Sequence, residues 1–239
     1  MKLCDLTLPT PAENLAGDEA LLDLCEAGGG DELLRLWALP QYFVVLGYAN
    51  QAAREVNLPC CRKLTIPVLR RCTGGGTVLQ GPGVLNYSLI LRIDGSGPFH
   101  SIPATNQFIL QRHRDALAGL LPAPVEARGQ TDLAIGSLKF AGNAQRRRRR
   151  FLLFHGSFLL HLDLELLEQI LPLPSRQPDY RSNRSHAEFL MNLNLPGHAI
   201  KAALSKAWNA TAPLDPIPFD QITLLAREKY ARDEWNLKF

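Results

Sequence analysis

The chain of 239 residues predicts a mixed α/β (α+β) fold, a sheet flanked by helices. Three observations carry this. Six or more segments read as strands, helical patterns stand before, between and after them, and every polar stretch between them is short. No internal repeat or linker breaks the order, so residues 1–239 are expected to form a single domain.

Composition narrows the function classes. Apolar residues make up 46% and charged residues 21%, as in ordinary globular chains. A net charge of +3 gives no case for nucleic acid or membrane as the main partner. No apolar run approaches the length of a membrane span. Asp5, Glu13, Asp18 and Glu19 interrupt any leader-like hydrophobic core near the N-terminus. The five cysteines are odd in number and form no CxxC or Cys/His cluster, so structural thiols in a reduced, cytoplasmic setting are expected.

Residues 12–27 read as a helix through Leu15, Ala16, Glu19, Leu22 and Leu24, stopped by Gly28-Gly29-Gly30. The nearly continuous apolar runs 33–37 and 43–47 read as strands in the middle of a sheet. A short helix over 52–64, interrupted near Pro59, leads to a strand at 66–70. Residues 84–93 form the clearest strand. Leu85, Tyr87, Leu89, Leu91 and Ile93 share one face, and Asn86, Ser88 and Arg92 the other. A helix is expected over 103–121, packing through Phe108, Ile109 and Leu117.

Residues 125–160 read as successive strands, with the arginines at 146–150 in a hairpin turn. Alternation over 138–145 places Lys139, Ala141, Asn143 and Gln145 on one face. A short helix follows over 163–171, with an acid near its start. The Pro/Ser/Arg-rich stretch 172–186 is too long for a simple connector. Helices are expected over 199–209 and 219–233.

The chain is organised around residues 68–88, where Arg70 and Arg71 precede Gly74, Gly75 and Gly76. Three consecutive glycines weaken a buried strand and leave nothing to pack. Two readings fit them: bare backbone approaching an anion with arginine support, or a tight turn with solvated arginines. Arg70 and Lys139 are the two cations placed near one ligand. A partly desolvated lysine needs an anion beside it. At about 4 Å and an effective dielectric of about 20, the attraction is on the order of 4 kcal/mol. A solvated strand lysine is the plainer alternative.

Other chemistries find no support. The loop lacks a following GK[ST] and precedes a strand, so it is neither a P-loop nor a dinucleotide fingerprint. There is no GxSxG elbow and no HExxH. His155 lies inside an apolar strand and reads as a satisfied structural histidine. The arginine run lacks interleaved aromatics and reads as a basic rim facing an acidic partner or phosphate rather than a nucleic-acid patch.

With these residues in place, the chain resembles the lipoate–protein ligase and octanoyltransferase family, relatives of biotin protein ligases. The resemblance covers roughly residues 12–195. Its opening helix is matched by Glu13-Asn14-Leu15-Ala16 with Asp18-Glu19-Ala20-Leu21-Leu22. Arg70-Arg71-Cys72-Thr73-Gly74-Gly75-Gly76-Thr77-Val78 resembles the RRxSGGGxV motif, and Leu85-Asn86-Tyr87-Ser88 its continuation. Gly129-Gln130-Thr131-Asp132-Leu133 and Lys139-Phe140-Ala141-Gly142-Asn143-Ala144-Gln145-Arg146 resemble the next blocks. His155-Gly156-Ser157-Phe158-Leu159-Leu160 resembles HGTLL, and Arg184 through Asn192-Leu193 a looser R…TNL segment.

The resemblance implies a class II synthetase-like, biotin–lipoate ligase-like catalytic domain and an ATP-dependent lipoate–protein ligase. Lipoate or octanoate would be activated to an acyl-adenylate and passed to a lysine of a lipoyl domain, in a 2-oxoacid dehydrogenase complex or the glycine-cleavage H protein. It implies Lys139 as the catalytic residue. It implies Arg70, Thr73, Gly74, Gly75, Gly76, Asn86, Asn143 and Ala144 around the acyl and adenylate groups. ATP and Mg2+ are implied, with Asp132 in the nucleotide and magnesium neighbourhood and the metal ligands undetermined. Arg146, Arg147 and Arg148 would face the acceptor.

Three departures accompany the match. Gln80-Gly81 stands where many ligases have His-Asp. The chain stops at Phe239, with no room for the C-terminal accessory domain of many ligases, which implies a separate accessory subunit. The transferase branches act through a cysteine thioester without ATP, but 123–138 and the residues after it hold no cysteine, and Cys72 reads as a small filler. A thioester transferase and a non-catalytic lipoyl-domain binder are the alternatives.

Overall fold

The computed structural model describes residues 1–28 and 30–239. Gly29, part of the run read as a helix stop, lies outside them. The chain opens with β1 (Lys2–Asp5) and α1 (Pro11–Glu26). Thr10 starts α1 with a capping box. Its hydroxyl accepts the Glu13 N–H at 3.2 Å, and its own N–H donates to the Glu13 carboxylate at 2.9 Å. Then come β2 (Leu33–Trp37), β3 (Phe43–Leu46), α2 (Ala52–Glu55), α3 (Leu58–Lys63), β4 (Val68–Arg70) and β5 (Val78–Gln80). The middle of the chain supplies β6 (Val84–Arg92), α4 (Ile102–Leu117), β7 (Val125–Arg128), β8 (Asp132–Ile135), β9 (Leu138–Arg147) and β10 (Phe151–Leu159). The last third supplies α5 (Leu164–Ile170), α6 (His186–Phe189), α7 (Gly197–Ala207), β11 (Ala212–Pro213), α8 (Phe219–Leu225) and α9 (Asp233–Asn236). No helix among the described residues is long and apolar enough to cross a membrane.

Two sheets result. Eight strands join in the order β11-β1-β2-β6-β10-β9-β8-β7, and β4-β3-β5 form a smaller sheet. Pairing is antiparallel except for β1 with both its neighbours and β3 with β4. The runs at 33–37 and 43–47 thus enter different sheets. Both are buried on both faces, which is why they read alike in the sequence.

β6 alternates as expected. Leu85, Tyr87, Leu89 and Leu91 join a core with Ile109, Leu110 and Leu117 of α4 and Ile200 and Leu204 of α7. Ile90, on the opposite face, packs with Leu21 and Leu22 of α1. Buried Asn86 and Ser88 share that second face, which the site uses.

β9 departs from simple alternation. Leu133 pairs with Ala141 but Ala134 pairs with Lys139, so Phe140 is an extra residue, a bulge. The bulge inverts the parity. A Cβ at Gly142 would meet Lys139 Nζ at 2.8 Å, so Lys139 shares the Gly142 face. Asn143 falls on the Tyr87 face instead. The expected shared face of Lys139 and Asn143 is corrected by one inserted residue.

The helices near the C-terminus also differ from expectation. The pattern over 219–233 covers α8, a π-helical turn at Ala226–Tyr230, and then a break before α9. π-turns inside helical runs often sit at functional positions.

His113 on α4 provides a test of the core. It is fully buried, and its Nε2 accepts the Trp208 indole N–H at 3.0 Å. Burial first, with Arg112 adding to it, pulls its pKa from 6.5 to about 3. Below pH 6.5 the unfolded chain takes up a proton that the native state refuses. The contribution to stability is therefore complete above pH 6.5 and is lost as the pH falls toward 3. His113→Gln, which keeps an acceptor for Trp208, should flatten the melting temperature against pH over this range; an unchanged slope would rule the group out.

Candidate active site

A cavity of about 820 Å³ is lined by residues of both sheets. Its walls come from the glycine loop, β9, β10, the turn before β8 and the 172–190 segment. Gly75, Gly76, Asn86, Asp132, Lys139, Asn143 and Ala144 line it, so these sequence-identified residues are brought together. Arg70, Thr73 and Gly74 do not line it.

The reason lies at the end of β4, where Arg70 is the last strand residue and Arg71 the first beyond it, and their side chains take different partners. Arg71 turns inward. Its guanidinium donates to the Gly74 carbonyl at 2.6 Å, the Gly76 carbonyl at 2.7 Å and the Thr73 hydroxyl at 3.0 Å. Burial pulls its pKa down to about 10, so it stays charged at neutral pH. Arg70 turns outward into a fully buried nest of main-chain carbonyls and reaches no ligand space. Arg70 as a ligand cation is therefore corrected; Arg71 is the arginine on the cavity side.

The three glycines are not equivalent. Gly75 has φ +88°, and a Cβ there would meet Arg71 Nη2 at 2.8 Å. Gly74 and Gly76 have open space around the Cβ position. Gly47, at the end of β3, packs so closely on the loop that a Cβ would overlap the Gly75 carbonyl oxygen.

Lys139 is neither free nor fully solvated. Its Nζ pairs with Asp132 Oδ1 at 2.8 Å, with a quarter of the side chain exposed. Asp132 Oδ2 accepts the Tyr180 hydroxyl at 2.8 Å. Burial first, then the Asp132 charge, raises the Tyr180 pKa, which keeps it a donor. The anion that Lys139 requires is thus built in. Asn143 accepts from Tyr87 at 2.5 Å and donates to the Thr131 carbonyl at 2.6 Å.

Two polar chains escaped the sequence reading. Gln80 donates to Ser157 at 2.6 Å, and Ser157 donates to Asn86 at 2.7 Å, across β5, β10 and β6. The second runs under the loop. Arg35 pairs with Asp18 at 2.6 Å, Asp18 meets His155 Nδ1 at 3.1 Å, and His155 Nε2 meets the Thr73 hydroxyl at 2.7 Å. Burial disfavours the Asp18 charge, but Arg35 and then His155 hold its pKa below the usual value. His155 is satisfied at both nitrogens, as expected of a structural histidine, yet its ring borders the cavity.

The arginine hairpin does not present a free basic rim. Arg146 pairs with Glu19 at 3.1 Å, and Arg148 with Asp23 at 2.8 Å. Arg147 donates to the Phe99 carbonyl and to Thr105. The acids of α1 face the hairpin, so Arg146 and Arg148 are already paired within the chain. Cys72 is buried, and burial raises its thiol pKa to about 11.

Solved structures share this architecture over essentially the whole chain. One, a bi-partite lipoate protein ligase with its E2 lipoyl domain from Thermoplasma acidophilum, gives a TM-score of 0.81 at 26% identity, covering 99% of this chain and 95% of that one. A T. acidophilum protein solved with bound lipoic acid gives 0.80 at 26% identity, covering 100% of both chains. A lipoate-protein ligase A bound with ATP gives 0.79 at 26% identity, covering 99% of this chain and 98% of that one. The fold is that of the lipoate ligases. Residues 10–204 match the lipoyl protein ligase A/B catalytic domain, and the chain belongs to that family. Among curated relatives, lipoate-protein ligase A subunit 1 of T. acidophilum is 29% identical over 97% of this chain and 95% of its own length. Octanoyltransferase LipM of Brevibacillus brevis is 27% identical over 96% and 95%.

The glycine geometry makes a graded prediction. Gly75→Ala should lower stability by about 1–2 kcal/mol, the usual cost of a left-handed non-glycine residue. At this chain length that corresponds to a fall of roughly 2–8 °C in melting temperature. Gly47→Ala should also lower it. Gly76→Ala should melt like the parent protein, and a fall equal to that of Gly75→Ala would contradict the loop geometry.

Proposed function

We propose that the chain is an ATP-dependent lipoate–protein ligase that activates lipoate or octanoate to an acyl-adenylate. The single observation carrying this reading is that, among the described residues, Lys139 and Asp132 border the cavity while no cysteine does. Cys4, Cys25, Cys61 and Cys72 are buried, and burial pushes Cys25, Cys61 and Cys72 up to about 11. A thioester route needs an accessible thiolate.

In this reading the acid's carboxylate meets Lys139 and the exposed glycine backbone. Leu15, Trp37, Val45 and Val78 offer apolar lining for a medium-chain tail. A carboxylate oxygen attacks the α-phosphorus of ATP, the P–O bond to the β-phosphate breaks, and pyrophosphate leaves. Lys139 offsets negative charge as it builds on both groups. The acceptor lysine's amine then attacks the acyl carbon and AMP leaves, with the amine's proton passing to solvent. Enclosure protects the mixed anhydride from water. Magnesium fits as a nucleotide-borne ion. The described residues hold no group of three His, Cys, Asp or Glu side chains able to bind it alone, and Asp132 is the carboxylate beside Lys139.

The relatives described as a ligase subunit and the bi-partite ligase solved with its lipoyl domain support a lipoyl-domain acceptor, with a separate accessory subunit completing the enzyme. The octanoyltransferase relatives favour the second reading, ATP-free transfer.

Pyrophosphate–ATP exchange driven by octanoate or lipoate separates the two. Exchange should be seen, and Lys139→Ala should reduce it by about 100-fold or more with the fold retained by circular dichroism. ATP-free acyl transfer that is abolished by thiol alkylation, with no exchange, would overturn the ligase reading.

A further inference from the structure

The segment after α8 makes contacts that reach the glycine loop from behind. Trp235 Nε1 donates to the Arg70 carbonyl at 2.8 Å, and Asn236 Oδ1 accepts the Arg70 N–H at 2.9 Å. Both main-chain polar groups of Arg70 are thus held by two consecutive side chains. The Arg70 guanidinium returns the contact, donating to the Trp235 carbonyl at 3.2 Å and the Asn236 carbonyl at 2.9 Å. The same guanidinium donates forward to the carbonyls of Gly47, Tyr48 and Asn50, at 2.9, 3.0 and 2.7 Å.

That 47–50 turn carries the contact into the cavity wall. Tyr48 N–H donates to the Thr73 carbonyl at 2.8 Å. In the orientation that satisfies its neighbours, the Asn50 amide donates to the Gly75 carbonyl at 3.1 Å and accepts the Thr77 N–H at 3.3 Å. Gly47 abuts the Gly75 carbonyl.

A second route runs through Glu19. Lys229 and Tyr230, on the π-turn, donate to its carboxylate at 2.5 and 2.7 Å. Glu19 pairs with Arg146, which donates to the Cys72 carbonyl at 3.3 Å. Asn236 Nδ2 ties the two routes together by donating to the Tyr230 carbonyl at 2.9 Å.

Buried main-chain carbonyls need donors, and a buried guanidinium needs acceptors. Arg70 satisfies five residues' carbonyls at once, and two of these belong to 235–236. We propose that residues 226–239 form a clip that sets the position of the glycine loop, and that Trp235 and Asn236 are positioning residues for the carboxylic-acid site. None of residues 226–239 lines the cavity. It acts through Arg70 and the 47–50 turn on Gly75 and Thr77. The acid-site part rests on the reading of the cavity as an acyl-acid site.

The test uses the full chain and two measurements. Hydrogen exchange without ligand reads the clip alone. Asn236→Ala and Trp235→Phe should speed exchange of the peptides spanning 70–77 while leaving β6 and β10 protected. Asn236→Asp keeps the acceptor for Arg70 N–H and should restore much of the protection. Leu237→Ser, exposed and outside the clip contacts, should behave as the parent. Calorimetric titration with octanoate reads the site. Asn236→Ala and Trp235→Phe should weaken binding by about tenfold, the scale of a small misplacement of binding groups. Unchanged exchange over 70–77, or a lower melting temperature with unchanged octanoate affinity, would overturn the positioning role. If the parent chain binds no octanoate, the acid-site reading fails, and the exchange result still decides the clip.

Discussion

Two adjacent arginines, the last residue of a short strand and the first beyond it, carry opposite duties because their guanidinium groups are held by different sets of carbonyls. Arg71 is committed to the carbonyls of Gly74 and Gly76, and Arg70 to those of Gly47, Tyr48, Asn50, Trp235 and Asn236. A loop of three glycines has little packing of its own and a high conformational entropy to lose. Its shape is therefore imposed by charge-assisted hydrogen bonds from one side and by the Gly47 turn from the other. The small sheet presents this loop, and the large sheet presents Lys139 and Asp132 across the cavity.

Beneath the loop, a buried polar network joins α1 to its neighbours. Asn14, Asp18 and Glu19 of α1 are all buried, which makes that helix a poor match to a simple apolar stripe. Removing one partner of the Asp18–Arg35 pair would leave an uncompensated buried charge, a cost of roughly 3–5 kcal/mol. His155 and Thr73 extend that pair to the loop. The charge network thus anchors α1 to β2, to β10 and to the glycine loop together.

Much of the fold was legible because strong patterns produced it. β6 alternates cleanly, and the arginine run marks a true hairpin turn between β9 and β10. The clustering of Gly75, Gly76, Asp132, Lys139 and Asn143 was also legible, through ordered motifs. Three things were not. The Phe140 bulge is a single inserted residue with no Gly or Pro to announce it, and it reversed the parity of Lys139. The partners of Arg70 and of the hairpin arginines lie between 20 and 166 residues away or on α1, so spacing could not show that their charges were already used. The clip at 235–236 contacts Arg70 from the far end of the chain, each contact using a main-chain atom on one side, and main-chain atoms leave no trace in residue patterning.

The central claim is that the Arg71-held loop forms one wall of a carboxylate site. Lysine at position 71 keeps the charge but lacks the planar fork that spans two carbonyls. Octanoate titrated calorimetrically into Arg71→Lys should bind about tenfold more weakly than to the parent, with the fold retained by circular dichroism. Affinity equal to the parent's in a folded Arg71→Lys protein would contradict the account.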